Sequence, residues 1–183
     1  PDDEQVLSRA GVGLCFRRLS IIDVAGGAQP LWNEDRDVAC VLNGEIYNFQ
    51  DLRKGLMERG HRFRTGSDAE VVVHLYEEEG ARFVEQLVGM FAIAVVDFRA
   101  AAGPIVTLYR DRLGVKPLYW GLSGYLFLFG SELKELRAKD GWRPRLDRDA
   151  LAAFILDCDV TWGRQDVAHD HPFETQRWTD SGE

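Results

Sequence analysis

The sequence predicts a layered α+β domain, and three observations carry that expectation. Strand-like runs, then helical runs, then strands again succeed one another without regular β–α alternation, which argues against a doubly wound parallel sheet. Apolar residues make up 45% of the 183 positions and aromatics 11%, enough for one sizeable core at this length. No repeat and no low-complexity tract interrupts the pattern.

Each element follows from local chemistry. Arg17-Arg18 leads into the largely apolar run Leu19, Ser20, Ile21 and Ile22, which reads as a buried strand with a solvated start. Residues 38–42 (VACVL) form a short β-branched run, and Asn43-Gly44 after it reads by itself as a tight turn. Asn48 is placed to cap a helix ending at Gly60, with Phe49, Leu52, Leu56 and Met57 on its apolar face. Ser67 and Glu70 have the spacing of a capping box, opening a helix through Glu79 that Gly80 ends. Val71, Val72, Leu75 and Tyr76 supply its buried face. A shorter helix is expected over 82–87.

Strands are then predicted over 90–98, 105–109 and 125–129. Gly103-Pro104 separates the first two, and the turn-rich stretches 111–116 and 122–124 precede the third. Ser131 caps a helix to about Ala138, and Asp147 another to about Leu156. Residues 160–183 are polar and aperiodic and read as an irregular end.

Charge narrows the function classes. With 30 acidic and 22 basic side chains the net charge is −8, unsuited to clustered phosphate contacts, so nucleic acid is not expected as a partner. The longest apolar run, 90–96, stops at Asp97, well short of a membrane span, and no basic-then-apolar leader opens the chain. Three cysteines, Cys15, Cys40 and Cys158, do not make a disulfide framework, so a reducing cytoplasm is the expected setting. The chain begins Pro1-Asp2-Asp3, which suggests a start other than the gene's.

Four clusters carry potential chemistry, each with a plain structural alternative. Arg18 offers a planar guanidinium for a carboxylate, or simply solvates a strand start. Asn43 and Gly44 offer an amide side chain and a backbone N–H to one oxygen, the pair an oxyanion requires, though a turn is the favoured local reading. Asp68 sits where a helix dipole favours an acid, and it is also free to hold an ammonium. The charged run from Arg110 to Pro117 reads as a solvated or self-paired loop. His169 and His171 lack a third ligand nearby, and no metal is expected.

Eight motifs then stand in order: Pro1-Asp2-Asp3-Glu4, Arg17-Arg18-Leu19-Ser20-Ile21-Ile22-Asp23, Gly26-Gly27-Ala28-Gln29-Pro30 and Asn43-Gly44-Glu45-Ile46-Tyr47-Asn48 lead the series. Gly66-Ser67-Asp68-Ala69-Glu70, Gly89-Met90-Phe91-Ala92, the run from Arg110 to Tyr119 and Ser131-Glu132-Leu133-Lys134 complete it. From Pro1 to about Phe154 the series resembles the glutaminase domain of glutamine-hydrolysing asparagine synthetases, which are class II glutamine amidotransferases.

That resemblance implies an N-terminal-nucleophile hydrolase fold, an αββα sandwich of two antiparallel sheets between helical layers, here lacking its first strand. It implies a glutaminase domain over 1–156, incomplete at its N-terminus, and a tail of unknown role over 157–183. In this family an N-terminal cysteine, with its own α-amine as base, attacks the glutamine side-chain amide. Ammonia then travels to a synthetase domain that aminates an adenylated aspartate with ATP and Mg. Carried over by motif, Arg18 would bind the substrate carboxylate, with Leu19, Ser20, Ile21 and Ile22 walling the pocket. Asn43 and Gly44 would form the oxyanion hole, and Asp68 with Glu45 would hold the α-ammonium. Neither cofactor nor metal is implied for this domain.

The sequence also departs from the family pattern. Pro1 stands first where the nucleophilic cysteine is required, and Cys15 and Cys40, expected as small buried hydrophobes, lack an α-amine. Phe16 replaces a frequent His, and no pyrophosphate loop of the synthetase kind is present. The expectation is therefore part of an amidotransferase, inert by itself toward glutamine. The alternative is a non-catalytic relic that binds glutamine or a protein. A sheet without its edge strand exposes unpaired backbone, so a homo-oligomer is a further expected outcome.

Overall fold

The structure is a computed structural model that describes residues 3–18, 28–137 and 175–178. The chain divides into two units, Pro1–Leu118 with Phe173–Glu183, and Tyr119–Pro172.

In the first unit, β1 (Asp3–Arg9) and β2 (Val12–Arg18) form an antiparallel ribbon. Its turn has positive φ at both Ala10 (49°) and Gly11 (81°), the left-handed geometry that matches strand twist in two-residue hairpins. This ribbon was not anticipated, because Ala-Gly is not a usual turn dipeptide. Leu19, Ser20, Ile21 and Ile22, expected as a strand, lie outside the described residues.

Next come β3 (Leu31–Trp32) and β4 (Val38–Ile46). After β4 the chain runs through α1 (Phe49–Glu58), α2 (Glu70–Glu79) and a 3-10 turn, Gly80–Gln86, in place of the expected third helix. It then returns as β5 (Gly89–Asp97) and β6 (Ile105–Arg110). In the second unit, β7 (Tyr119–Ser123) and β8 (Leu126–Gly130) pair as a hairpin, and Leu136 of α3 (Leu133–Arg137) is buried. Residues 119–121 were not expected as strand, and Tyr125, expected to start one, is an exposed turn residue. Finally β9 (Thr175–Trp178) pairs with β6, inside the stretch expected to be irregular. The helix expected over 147–156 lies outside the described residues.

The large sheet is antiparallel throughout, in the order β3-β4-β5-β6-β9. Alternation along the strands assigns its two faces. Val38, Cys40, Leu42, Ile46, Phe91, Ile93 and Val95 share one core with Leu56 of α1, Val71, Val72 and Leu75 of α2, and Phe83. On the opposite face Ala39, Ala92, Ala94, Val96, Val106 and Leu108 are also buried. A sheet buried on both sides is what a layered sandwich requires. At its rim the Arg9 guanidinium lies 4.4 Å from the Phe98 ring centre and donates to the Arg36 carbonyl at 2.6 Å.

Two local expectations fail for physical reasons. Asn43-Gly44 is not a turn, since β4 continues unbroken to Ile46 opposite β5. Met57, assigned to the buried face of α1, is 55% exposed, whereas Leu56 beside it is fully buried. No helix among the described residues is long and apolar enough to cross a membrane.

Candidate active site

The site begins with the hydrogen-bond ladder of β4. Phe98 N–H donates to Asp37 at one end (2.8 Å) and Tyr47 N–H to Val88 at the other (2.7 Å), so odd-numbered residues of β4 bond to β5. Even-numbered residues then turn their N–H groups to the opposite edge. There Leu42 N–H donates to Gln29 Oε1 at 2.7 Å, and Gln29 Nε2 returns a bond to the Leu42 carbonyl at 3.2 Å. The buried Gln29 side chain thus extends the pairing that β3 begins. Two positions on, Ile46 N–H donates to Asp68 Oδ2 at 2.9 Å. The Gly44 N–H lies between these two on the same edge.

Gly44 has a φ of +139°, and a Cβ there would overlap the Met90 carbonyl, just as one on Gly89 would overlap the Glu45 carbonyl. The two glycines let β4 and β5 approach closely at this one point. Gly44 is exposed, with Asn43 and Glu45 half-buried beside it, although Leu42 and Ile46 on either side are buried.

Asp68 is delivered by the turn that precedes α2. Ser67 N–H donates to Thr65 Oγ1 at 3.1 Å, and Ser67 Oγ accepts from Ala69 N–H at 3.3 Å. The predicted capping box is not reciprocal. Glu70 reaches past Ser67 to accept from Arg64 N–H (2.7 Å), Thr65 N–H (2.8 Å) and Thr65 Oγ1 (2.6 Å). Burial alone would raise its pKa, but His74, Thr65 and these backbone donors hold it at about 2. The result is a buried Asp68 at the N-terminal end of α2, its carboxylate meeting the end of β4.

The opposite strand is anchored as firmly. Phe91, paired with Gly44, accepts from Asp111 N–H at 2.8 Å and donates to Asp111 Oδ2 at 3.2 Å. The same carboxylate accepts from Leu113, Val115 and Lys116 N–H, while Arg110 caps the Lys116 and Gly114 carbonyls at 2.7 and 2.8 Å. The charged loop is therefore self-paired, as expected. Asn48 occupies the N-cap position of α1 without capping it; its amide instead donates to the Gln86 carbonyl (2.9 Å) and accepts from Val88 N–H (3.0 Å).

Of the sequence-predicted site residues, Asn43, Gly44, Glu45 and Asp68 come together at the end of β4. Arg18 is the last residue of β2, opposite Asp3 in the ribbon; its side chain lies outside the described residues, as do Leu19, Ser20, Ile21 and Ile22. Cys40 is buried, donates weakly to the Ala69 carbonyl at 3.6 Å, and has its thiol pKa pushed up by burial and by Glu70 and Asp68. Cys15 corrects the expectation, being exposed on β2. Sequence reasoning missed Gln29 and the anchoring role of Asp111, whose only signal was membership of the ordered motifs.

The glutamine amidotransferase domain family matches residues 1–170. Asparagine synthetase [glutamine-hydrolyzing] 2 of Bacillus subtilis is 47% identical over 136 residues, covering 74% of this chain and 18% of the relative. The asparagine synthetase of Sandersonia aurantiaca is 50% identical over 125 residues, covering 67% of this chain and 23% of its own length. The chain thus spans about a fifth of the length of these relatives. Among solved structures, the glutamine phosphoribosylpyrophosphate amidotransferase of B. subtilis aligns with a TM-score of 0.51 and 25% identity, over 60% of this chain and 25% of that one. The α+β fold is of the N-terminal-nucleophile hydrolase type, and the chain belongs to the glutamine amidotransferase domain family, homologous to the glutamine-hydrolysing domains of asparagine synthetases.

Proposed function

We propose that this domain binds glutamine and releases its amide nitrogen as ammonia for ATP-dependent asparagine formation by a synthetase domain of the kind its relatives carry. Residues 1–156 make up the glutaminase part, and the setting is cytoplasmic. Glutamine is a zwitterion with a neutral amide end, so its site needs a cation, one or two anions and two donors for an oxyanion. Asp68 with Glu45 meets the ammonium, Arg18 the carboxylate, with Leu19, Ser20, Ile21 and Ile22 as the wall.

When the thiolate of an N-terminal cysteine of the family's kind, its own α-amine acting as base, adds to the amide carbon, a C–S bond forms and the carbonyl oxygen becomes an oxyanion. Asn43 Nδ2 and Gly44 N–H serve as its donors. Collapse breaks the C–N bond, ammonia leaves with the proton delivered by the base, and water later hydrolyses the thioester. Neither Cys15 nor Cys40 offers an α-amine, so neither is the nucleophile in this reading. ATP and Mg belong to the synthetase reaction.

The observation that carries the reading is the edge of β4, where the Gly44 N–H lies between two neighbours that side chains already occupy. Calorimetric titration with glutamine tests it. A saturable heat in the millimolar range or below is expected, and its absence at several millimolar glutamine would overturn the pocket.

A further inference from the structure

Away from the glutamine site, α2 carries a second cluster. His74 and Glu77 from α2 meet Glu34, which lies between β3 and β4, and His61, which follows α1. One ligand atom from each residue lies within 4.8 Å of all the others. His74 Nδ1 is 3.2 Å from Glu34 Oε2 and 3.5 Å from Glu77 Oε2, and His61 Nδ1 is 3.5 Å from Glu34 Oε1 and 3.9 Å from Glu77 Oε2. Ligands of a tetrahedral ion with bonds of about 2.0–2.2 Å stand roughly 3.3–3.6 Å apart, close to most of these separations.

A second observation is independent of this spacing. The His74 side chain is only 1% exposed, yet neither of its ring nitrogens closes a hydrogen bond, and Glu77 Oε2 is likewise buried without one. Buried polar atoms are normally satisfied, and these point at one another across short distances without the directions a hydrogen bond needs. The surrounding groups also have the pattern of an outer shell. His61 Nε2 lies 3.2 Å from Glu78 Oε1, His74 Nε2 lies 3.9 Å from Glu70 Oε1, and Asn33 Nδ2 donates to Glu77 Oε1 at 2.7 Å, leaving Oε2 for the centre.

We infer that Glu34, His61, His74 and Glu77 bind a divalent transition-metal ion of the zinc type. Two imidazoles and two carboxylates suit such an ion, and the two carboxylates neutralise its charge beside the buried His74. Four protein ligands close the coordination sphere, so the site is structural. It clips the β3–β4 connection and the segment after α1 to the helix whose N-terminal end holds Asp68.

The test uses the whole chain without a polyhistidine tag, stripped with chelator and titrated with Co²⁺ and Zn²⁺. One equivalent is expected, with the visible bands of tetrahedral cobalt, displacement of cobalt by zinc, and a rise in Tm. His74→Asn, His61→Ala and Glu34→Gln should abolish the cobalt bands, and Glu78→Gln should weaken zinc by about 10–100-fold. If the buried His74→Asn variant does not fold, His61→Ala and Glu34→Gln decide alone, with circular dichroism reporting their fold. No binding at micromolar metal overturns the inference. So does stoichiometric binding that persists in folded His61→Ala and Glu34→Gln and disappears in a His169→Ala, His171→Ala double variant.

Discussion

Asp68 illustrates how one side chain serves architecture and chemistry together. Its carboxylate accepts from Ile46 N–H, and in the proposed site it faces an ammonium. The two duties separate by substitution. Asp68→Asn retains an acceptor for Ile46 but loses the charge, so unfolding free energy should fall by no more than about 1 kcal/mol. Glutamine affinity should fall by about 2 kcal/mol or more, roughly 30-fold in Kd, as for removal of one member of a buried charge pair. Comparable losses of stability and affinity in denaturation and calorimetry would assign Asp68 a structural role alone. Gly44 gives the converse case. A methyl group at Gly44 meets both an unfavourable φ and the Met90 carbonyl, so Gly44→Ala should cost roughly 2–4 kcal/mol by urea denaturation, with glutamine binding lost as well.

At the scale of elements, the loop after β6 stands on one carboxylate. Burial pushes Asp111 upward, but N–H donors from Val115, Lys116, Phe91 and Leu113 outweigh it and hold its pKa below the ordinary value. Asp97 is treated similarly, burial being outweighed by its partner Arg99. A carboxylate depressed in the folded state stabilises fully above its unfolded pKa of about 3.9, and loses that contribution as pH falls through the lower folded value. Thermal melts from pH 7 to pH 2 should therefore show an acid limb below about pH 4. Asp111→Asn should lower Tm near neutrality and flatten that limb; an unchanged limb would mean that other carboxylates dominate.

The same scale shows what the sequence made legible. The helix expected from the Asn48 cap to Gly60 and the strands expected over 90–98 and 105–109 were readable within a residue or two because Leu56, Phe91, Ile93, Val95, Val106 and Leu108 are buried as their pattern requires, Met57 excepted. Asn43-Gly44 was misleading since its local turn preference yields to nine paired positions between β4 and β5. Ser67 and Glu70 had the right spacing for a capping box, but Thr65 Oγ1 and two upstream N–H groups competed for the Glu70 carboxylate.

Across the whole molecule, ordered motifs distant in sequence were the strongest guide, because they carried the relation between Asn43, Gly44 and Asp68 that no local pattern contains. The His61–His74 pairing was invisible by that route. It exists only once α1 and α2 pack together and bring two rings to 4.8 Å between centres. Ligand linkage is the molecule-wide test of the glutamine site. Saturating glutamine at 100 times Kd should stabilise the fold by about 2.7 kcal/mol, seen as a rise in Tm, and Asp68→Asn should remove most of it.

The way β4 is finished along its outer margin has a consequence for selectivity. Foreign extended segments join a sheet by exchanging several donors and acceptors in succession. Here Gln29 and Asp68 have already engaged the amides flanking Gly44, so no such run is on offer. A peptide seeking to add itself as another strand finds its first and third partners taken. In the proposed site, side chains standing in for backbone leave that border a socket for a single oxygen atom.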